Sequence, residues 1–397
     1  MLHKVMCIKK IITYLLIFQL SYFSALPLAY AIDSLTLPTG GTVISGTVNI
    51  QQPSISQLNV NQSSNQAIVN WNTFNVGSQA SVHFNQPGAT SSILNNVLSG
   101  QSIINGSIYS NGRLYITNPT GILTGPTSAI RAEGVVLSTL NLSQQNFLNN
   151  QFQFNTNQSS KIENQGSIEG NYVALISPEV NNKGVIISNA ATTLAAGDDV
   201  LLGISDSNSL TVRVNPSMLK TLVNNEGSIK TQNGIVTIKT DVAQSLVDDT
   251  IKLPSAKADG LISENGVLKL VSNSGSIQSQ QIKIDSGSRG LTAISGVLNA
   301  NSETGQGGVV EITGKEINVN SAIISADGSS GGGRVLIGGD WQGSGDLLQA
   351  TYVDISKDTT ISANAINSGS GGTIVAWSDI TDSNSTTKVS GTLSAKG

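Results

Sequence analysis

Beyond its first thirty-one residues the sequence has no cysteine; Cys7 is the only one in the chain. Disulfides, thiolate metal sites and cysteine nucleophiles are therefore excluded from the remainder. Charge is also sparse, at 12% Asp, Glu, Lys and Arg. No basic run occurs, and no Lys or Arg series is interleaved with aromatics, so nothing here attracts nucleic acid. Aromatic residues make up only 4%, and His3 and His83 are the two histidines. Hydrophobic residues reach 38% and are dominated by Val, Ile and Leu, with a polar complement of Asn, Gln, Ser and Thr. This composition can form a core, and it suits a thin one of stacked β-branched residues.

The start of the chain reads as a secretory signal peptide spanning 1–31. Lys4, Lys9 and Lys10 form a positive n-region, Ile11 to Leu20 is nearly all apolar, and Ala29-Tyr30-Ala31 is a small-x-small cleavage site placing the cut before Ile32. Gln19, Ser21, Ser24 and Pro27 interrupt the apolar stretch, which makes it short for a membrane span. Loss of the three leader lysines moves the formal net charge from −4 to −7.

A short motif, small or Asn, then Gly-x-apolar, recurs along the remainder. It appears at Gly106-Ser107-Ile108, Gly166-Ser167-Ile168, Gly184-Val185-Ile186, Gly227-Ser228-Ile229, Gly275-Ser276-Ile277 and Gly296-Val297-Leu298, and Asn164, Asn182, Asn225 and Asn273 precede four of these. The last third adds an apolar-x-Ala-polar tetrad, at Leu298–Asn301, Ile324–Asp327, Ile361–Asn364 and Leu393–Lys396. The first three lead through Gly-rich turns, expected to supply positive-φ corners, into strands containing Ile312, Val335, Ile337 and Ile374, all expected inward, with Glu311 and Arg334 outward. A β-sandwich does not repeat one local motif at near-constant intervals, whereas a solenoid does. The expected fold is all-β: a right-handed parallel β-helix with an N-terminal cap and extra-helical hairpins or short helices. Equivalent Ile, Val and Asn residues would stack in ladders. At ~20–25 residues per coil it would make roughly 13–16 coils, a rod of about 60–75 Å. Pro216 to Val223 and Asp241 to Asp248, the latter after an Asp cap, have the spacing of short helices.

Candidate chemistry is thin. His83 alternates with Val82 and Phe84 and should face solvent, and no Gly-x-Ser-x-Gly elbow accompanies it. One histidine is too few to suggest a zinc site. Asp198-Asp199 and Asp248-Asp249 read as solvated turns, because adjacent residues on a strand face opposite sides. Gly338-Gly339-Asp340 is a single copy of a calcium β-roll-like unit, too little for a metal site. The reading is of no catalytic residue, cofactor, metal or small-molecule substrate. A secreted β-helical carbohydrate-active enzyme, a polysaccharide lyase or glycosidase, is the alternative.

Residues 35–155 carry an ordered series of segments: Ala67 to Gly77 with Trp71, Asn72, Phe74, Asn75 and Gly77; Val82 to Pro87; Ser92 to Val97; Ile104 to Ile108; Asn111 to Ile122; and Gly134 to Asn141. The series resembles the two-partner-secretion, or haemagglutination-activity, domain at the front of filamentous haemagglutinin proteins. The family pattern Asn-Pro-Asn-Gly-Ile stands here as Asn118-Pro119-Thr120-Gly121-Ile122, with Thr120 replacing Asn. Thr can still bond local backbone, so the turn is expected to survive, while any contact of the missing amide is in doubt. The resemblance implies three parts: leader 1–31, secretion domain 32–155 and β-helix repeats 156–397. It implies Sec export, a dedicated outer-membrane β-barrel transporter as partner, and secretion to the medium or cell surface as an adhesin, with host-cell glycans or receptors as distal partners. Transporter recognition is expected at the Asn118–Ile122 turn and the Trp71–Gly77 block. The repeat breaks off after Lys396 without an evident polar cap, so a fragment, a truncated product or a short exoprotein is expected.

Overall fold

Short strands of alternating inward aliphatic and outward polar residues, ended by glycine or Asn, cannot bury a face alone and must stack on copies of themselves. The computed structural model describes residues 32–232, 234–251, 263–264 and 267–397, and it shows that stacking. The leader and its Ala29 and Ala31 cleavage positions lie outside the described residues.

Each coil runs through three strands, giving a parallel β-helix with three faces. On the first face, Leu58, Val82, Ile108, Ile130, Ile168, Ile186, Ile229, Ile277, Leu298, Ile324, Ile361 and Leu393 are successive parallel rungs of one ladder. All but Leu393 are buried. These twelve rungs among the described residues are fewer than the expected 13–16, because excursions from the rod use up chain. The second face carries strands such as Ser92–Val97, Arg113–Thr117, Gly134–Ser138 and Gln281–Asp285. The third carries Ser102–Ile104, Ile122–Thr124, Lys161–Asn164 and their successors to Thr386–Val389.

Of the tetrads' Gly-rich turns, Gly369 takes the expected positive φ (+94°), while the Gly of the Gly-x-apolar motif is required by close approach. A β-carbon on Gly184 would lie 2.2 Å from the carbonyl oxygen of Gly166; on Gly227, 2.1 Å from that of Gly184; on Gly275, 2.1 Å from that of Gly227. The coils touch at this corner, and only glycine fits between them. Gly308, Gly333 and Gly372 form a second such stack, with the carbonyl below 2.1 Å from a β-carbon on Gly333 and 2.0 Å from one on Gly372. Each donates its N–H to the Ala of the preceding tetrad, Ala300, Ala326 and Ala363, over 2.7 Å.

The predicted asparagine ladder is present on the third face. Asn164 Nδ2 donates to Asn182 Oδ1 (2.7 Å), Asn182 to Asn225 (2.7 Å) and Asn225 to Asn273 (2.6 Å), while Thr124 Oγ1 donates to Asn164 Oδ1 (2.5 Å). All five side chains are fully buried. The same column continues in aliphatics: Ile294, Val319, Ile355 and Val389.

The first end of the rod is closed by antiparallel pairing. Thr42–Ser45 pairs with Gln66–Trp71, and Val48–Ser54 pairs with Gln57–Gln62. Outside the second face lies a four-stranded antiparallel sheet of Asn141–Leu142, Phe152–Asn155, Asp199–Ile204 and Leu210–Val214. It buries a second core comprising Leu94, Tyr115, Val136, Phe147, Phe154 and Tyr172, so the second face is dry on both sides there.

Two expectations about helices divide. Pro216 to Val223 is not helical: Ser217 makes a bridge with Val242, and Leu222–Asn225 is a third-face strand, so the apolar spacing serves two different environments. A helix does follow Asp241, at Gln244–Ile251, but Asp241 accepts from Val242 N–H rather than capping it. That helix contains Asp248 and Asp249, which therefore do not form a turn; Asp198 lies in the turn but Asp199 begins a strand. Ile312, Val335 and Ile337 are buried as expected, whereas Ile374 is half-buried, since its strand pairs with a coil on one side only.

Candidate functional site

The two sequence blocks singled out for recognition converge on one corner of the rod, between the second and third faces. Gln66–Trp71, Ser92–Val97 and Arg113–Thr117 lie side by side on the second face. The chain turns at 72–75, 98–101 and 118–121, and Val76, Ser102–Ile104 and Ile122–Thr124 continue side by side on the third face. Three successive coils thus stack their corners.

Asparagine amides join these corners. Asn75 Oδ1 accepts from Ile103 N–H (2.8 Å) below the middle coil. Asn118 Nδ2, fully buried, donates to Gly100 O and Ser102 Oγ (both 2.9 Å) from above. Ser99 Oγ donates to Asn72 O (2.7 Å). The strand Ser102–Ile104 is therefore gripped from both blocks.

The Asn118 turn closes on itself. Asn118 Oδ1 accepts from Thr120 N–H (2.9 Å), and Gly121 N–H donates to Asn118 O (3.1 Å). Gly121 sits at φ +123°, where a side chain is strained. Thr120 is exposed and contributes its N–H, so its replacement of the family's Asn leaves the turn intact. Pro119 is half-buried, and Ile122 is fully buried in the core.

Beneath the corner, Trp71 is buried and donates Nε1–H to Asn95 Oδ1 (2.9 Å), whose Nδ2 donates to Tyr115 O (3.1 Å). Phe74 meets the Trp71 ring edge-on at 5.6 Å. Gly77 N–H donates to Thr36 O (2.9 Å), tying the block to the cap. Of the ten residues named for recognition in these two blocks, Asn72 and Thr120 are the exposed ones. Between them stands Leu98, 63% exposed, an apolar side chain at the middle corner that sequence reasoning passed over. Its position just after the inward Val97 was the available signal.

The residues weighed for chemistry do not assemble. His83 faces outward, with Nε2 3.2 Å from Ser81 Oγ and its ring 5.2 Å from that of Tyr109. Asp199 accepts amides from Gln153 and Asn215, and Asp340 pairs with Arg334 at 3.1 Å. Outward carboxylates meet lysines on the neighbouring coil, as in Lys239–Asp285 (2.9 Å) and Lys283–Glu311 (3.1 Å). Among the described residues, no group of three or more His, Cys, Asp or Glu is placed to hold a metal ion, and no helix is long and apolar enough to cross a membrane.

Residues 33–284 match the family described as TPS secretion domain. The chain is 28% identical over 207 residues to a heme/hemopexin-binding protein of Haemophilus influenzae strain Rd, covering 49% of this chain and 23% of that protein. It is 29% identical over 118 residues to a second H. influenzae protein of the same name, covering 30% of this chain and 13% of the relative. The chain thus spans less than a quarter of the length of either. Among solved structures it is similar to the HMW1 secretion domain from H. influenzae, with TM-score 0.70 and 25% identity, over 90% of this chain and 100% of that one.

Proposed function

Because this chain belongs to the TPS secretion domain family, whose exoproteins leave the cell by two-partner secretion, we propose that the stacked corner at 72–75, 98–101 and 118–121 is what its outer-membrane transporter recognises. The carrying observation is convergence: blocks more than forty residues apart in sequence grip one strand, Ser102–Ile104, from both sides. Buried Trp71, Phe74, Asn118 and Ile122 fix the shape. Asn72, Leu98 and Thr120 are the groups offered outward, with Pro119 and Asn75 at the margin. In this reading the chain enters the periplasm through Sec on its 1–31 leader, residues 32–155 direct export, and the rest forms the stalk of an adhesin that meets host-cell glycans or receptors. Near-neighbour contacts suit folding coil by coil as the chain emerges.

The test co-expresses the leader-bearing chain with its transporter and compares medium with periplasm. Leu98→Asp and Thr120→Asp should retain the folded protein's melting temperature yet accumulate in the periplasm. Asn118→Ala and Gly121→Val should lose both secretion and about 1–3 kcal/mol of stability, through three lost side-chain hydrogen bonds and a strained φ respectively. Normal secretion of all four variants would remove this corner from the export mechanism. Sustained turnover of a polysaccharide by the purified protein would favour the enzyme reading instead.

A further inference from the structure

The extra-helical sheet does not lie flush on the second face along its whole width. Toward the capped end it leaves a half-open cavity of about 580 Å³, walled on one side by Gln66, Arg113 and Tyr115 of the rod and on the other by Phe152, Ile204 and Asp206 of the sheet and its loop. That is the size range of small-molecule sites. Its lining is mostly polar, unlike the dry core beside it.

Arg113 is the unusual element. The residue is half-buried, yet among the described residues no carboxylate pairs with it; Nη2 reaches Asn208 Oδ1, at 3.5 Å, and Nε is buried with no hydrogen-bond partner there. Buried guanidinium N–H groups normally find acceptors, and the planar fork of Arg matches a carboxylate with two parallel bonds. The surroundings are stiff. Tyr115 stacks on Phe152 at 5.3 Å, and Gln66 Nε2 is held by Phe147 O and Asn150 Oδ1. Burial pushes the Tyr115 phenol well above its ordinary range, so it stays neutral and does not repel an anion.

We propose that this cavity binds a carboxylate-bearing sugar unit, with its carboxylate on the Arg113 fork and its hydroxyls on the amides of Gln66 and Asn150 and the carboxylate of Asp206. Asp206 decides between anions. Inorganic phosphate would bring up to two negative charges against it with only one or two hydroxyls to donate, whereas a sugar acid carries a single charge, placed on Arg113, and several vicinal hydroxyls that donate to Asp206. No bond is made or broken; the site is for binding. The inference is independent of the export corner, because the ligand is tested on purified protein without a transporter.

The experiment is saturation-transfer NMR and calorimetric titration of the chain from Ile32 with sodium D-glucuronate, D-glucose and inorganic phosphate. Glucuronate should bind, with D-glucose and phosphate at least tenfold weaker. Arg113→Gln should weaken glucuronate at least tenfold, and Arg113→Lys less so. Asp206→Ala, on the exposed loop, should weaken it about fivefold without changing the melting curve, which keeps the test valid if Arg113→Gln fails to fold. Absence of glucuronate binding, equal binding of glucose or phosphate, or unchanged binding in Asp206→Ala with Arg113→Lys would each overturn the proposal.

Discussion

The coils up to about residue 240 and those after about residue 281 share one backbone but differ in what lies on and inside it. In the earlier coils the second face is covered, and its outward column reads Leu94, Tyr115, Val136, Ala174. In the later coils the same column reads Lys283 and Glu311, paired to each other. Inside, the last third-face position is Thr or Asn from Thr124 to Asn273 and aliphatic from Ile294 onward. The β-helix backbone thus fixes direction and spacing, while the neighbour of each column selects its chemistry. A covered column must be apolar, a solvated one can carry ion pairs, and an internal one can be either, provided every amide finds its partner.

The largest expected effect breaks the first contrast. Val136→Asp places an unpaired charge between rod and sheet, although its side chain points out of the rod, and should cost several kcal/mol, as much as inward Val335→Asp. Thr237→Asp, in the same column but near Lys239 and Lys283 at the uncovered margin, should change stability by less than about 1 kcal/mol. Denaturant midpoints of the three variants decide it; a mild Val136→Asp would mean the sheet does not seal that face.

The internal contrast gives the next effect. Asn182→Val keeps a similar shape but strands the amides of Asn164 and Asn225, at a cost of about 1–3 kcal/mol. Replacing Asn164, Asn182, Asn225 and Asn273 together by Val leaves fewer stranded partners and should recover much of that loss. If the fourfold variant is worse than the sum of the single ones, the amides specify register as well as satisfying one another. The smallest effect is expected at the surface: Lys283→Ala should cost less than about 1 kcal/mol, and 1 M salt should abolish the difference from the parent.

The repeat was legible because stacking puts the same residue in the same place. The Gly-x-Ile motif and the four asparagines could be read off as columns before any coordinates, and the columns exist. The matched blocks were legible as segments. Their meeting at one corner was not, because the bonds of Asn75 to Ile103 and of Asn118 to Ser102 join different coils. Arg113 carries no local signal, and Leu98 only its place after the inward Val97: a single strand Arg and a single exposed Leu look ordinary until their surroundings are known. The false helix at 216–223 arose where apolar spacing came from a bridge followed by a strand.

The sequence by itself determined the architecture: short strands recurring in stacked coils, glycine-rich turns between them, aliphatic and asparagine columns, and a secretion-domain front. Those features follow from periodicity, which is local and repeats. Only the tertiary structure decided which outward residues are dry, which amide reaches which coil, and that a half-buried arginine faces an open cavity. The amide bonds depend on which coil stacks on which, and the other two on an excursion folding back over the rod from tens of residues away; the side chains concerned record no trace of that distance in their own order.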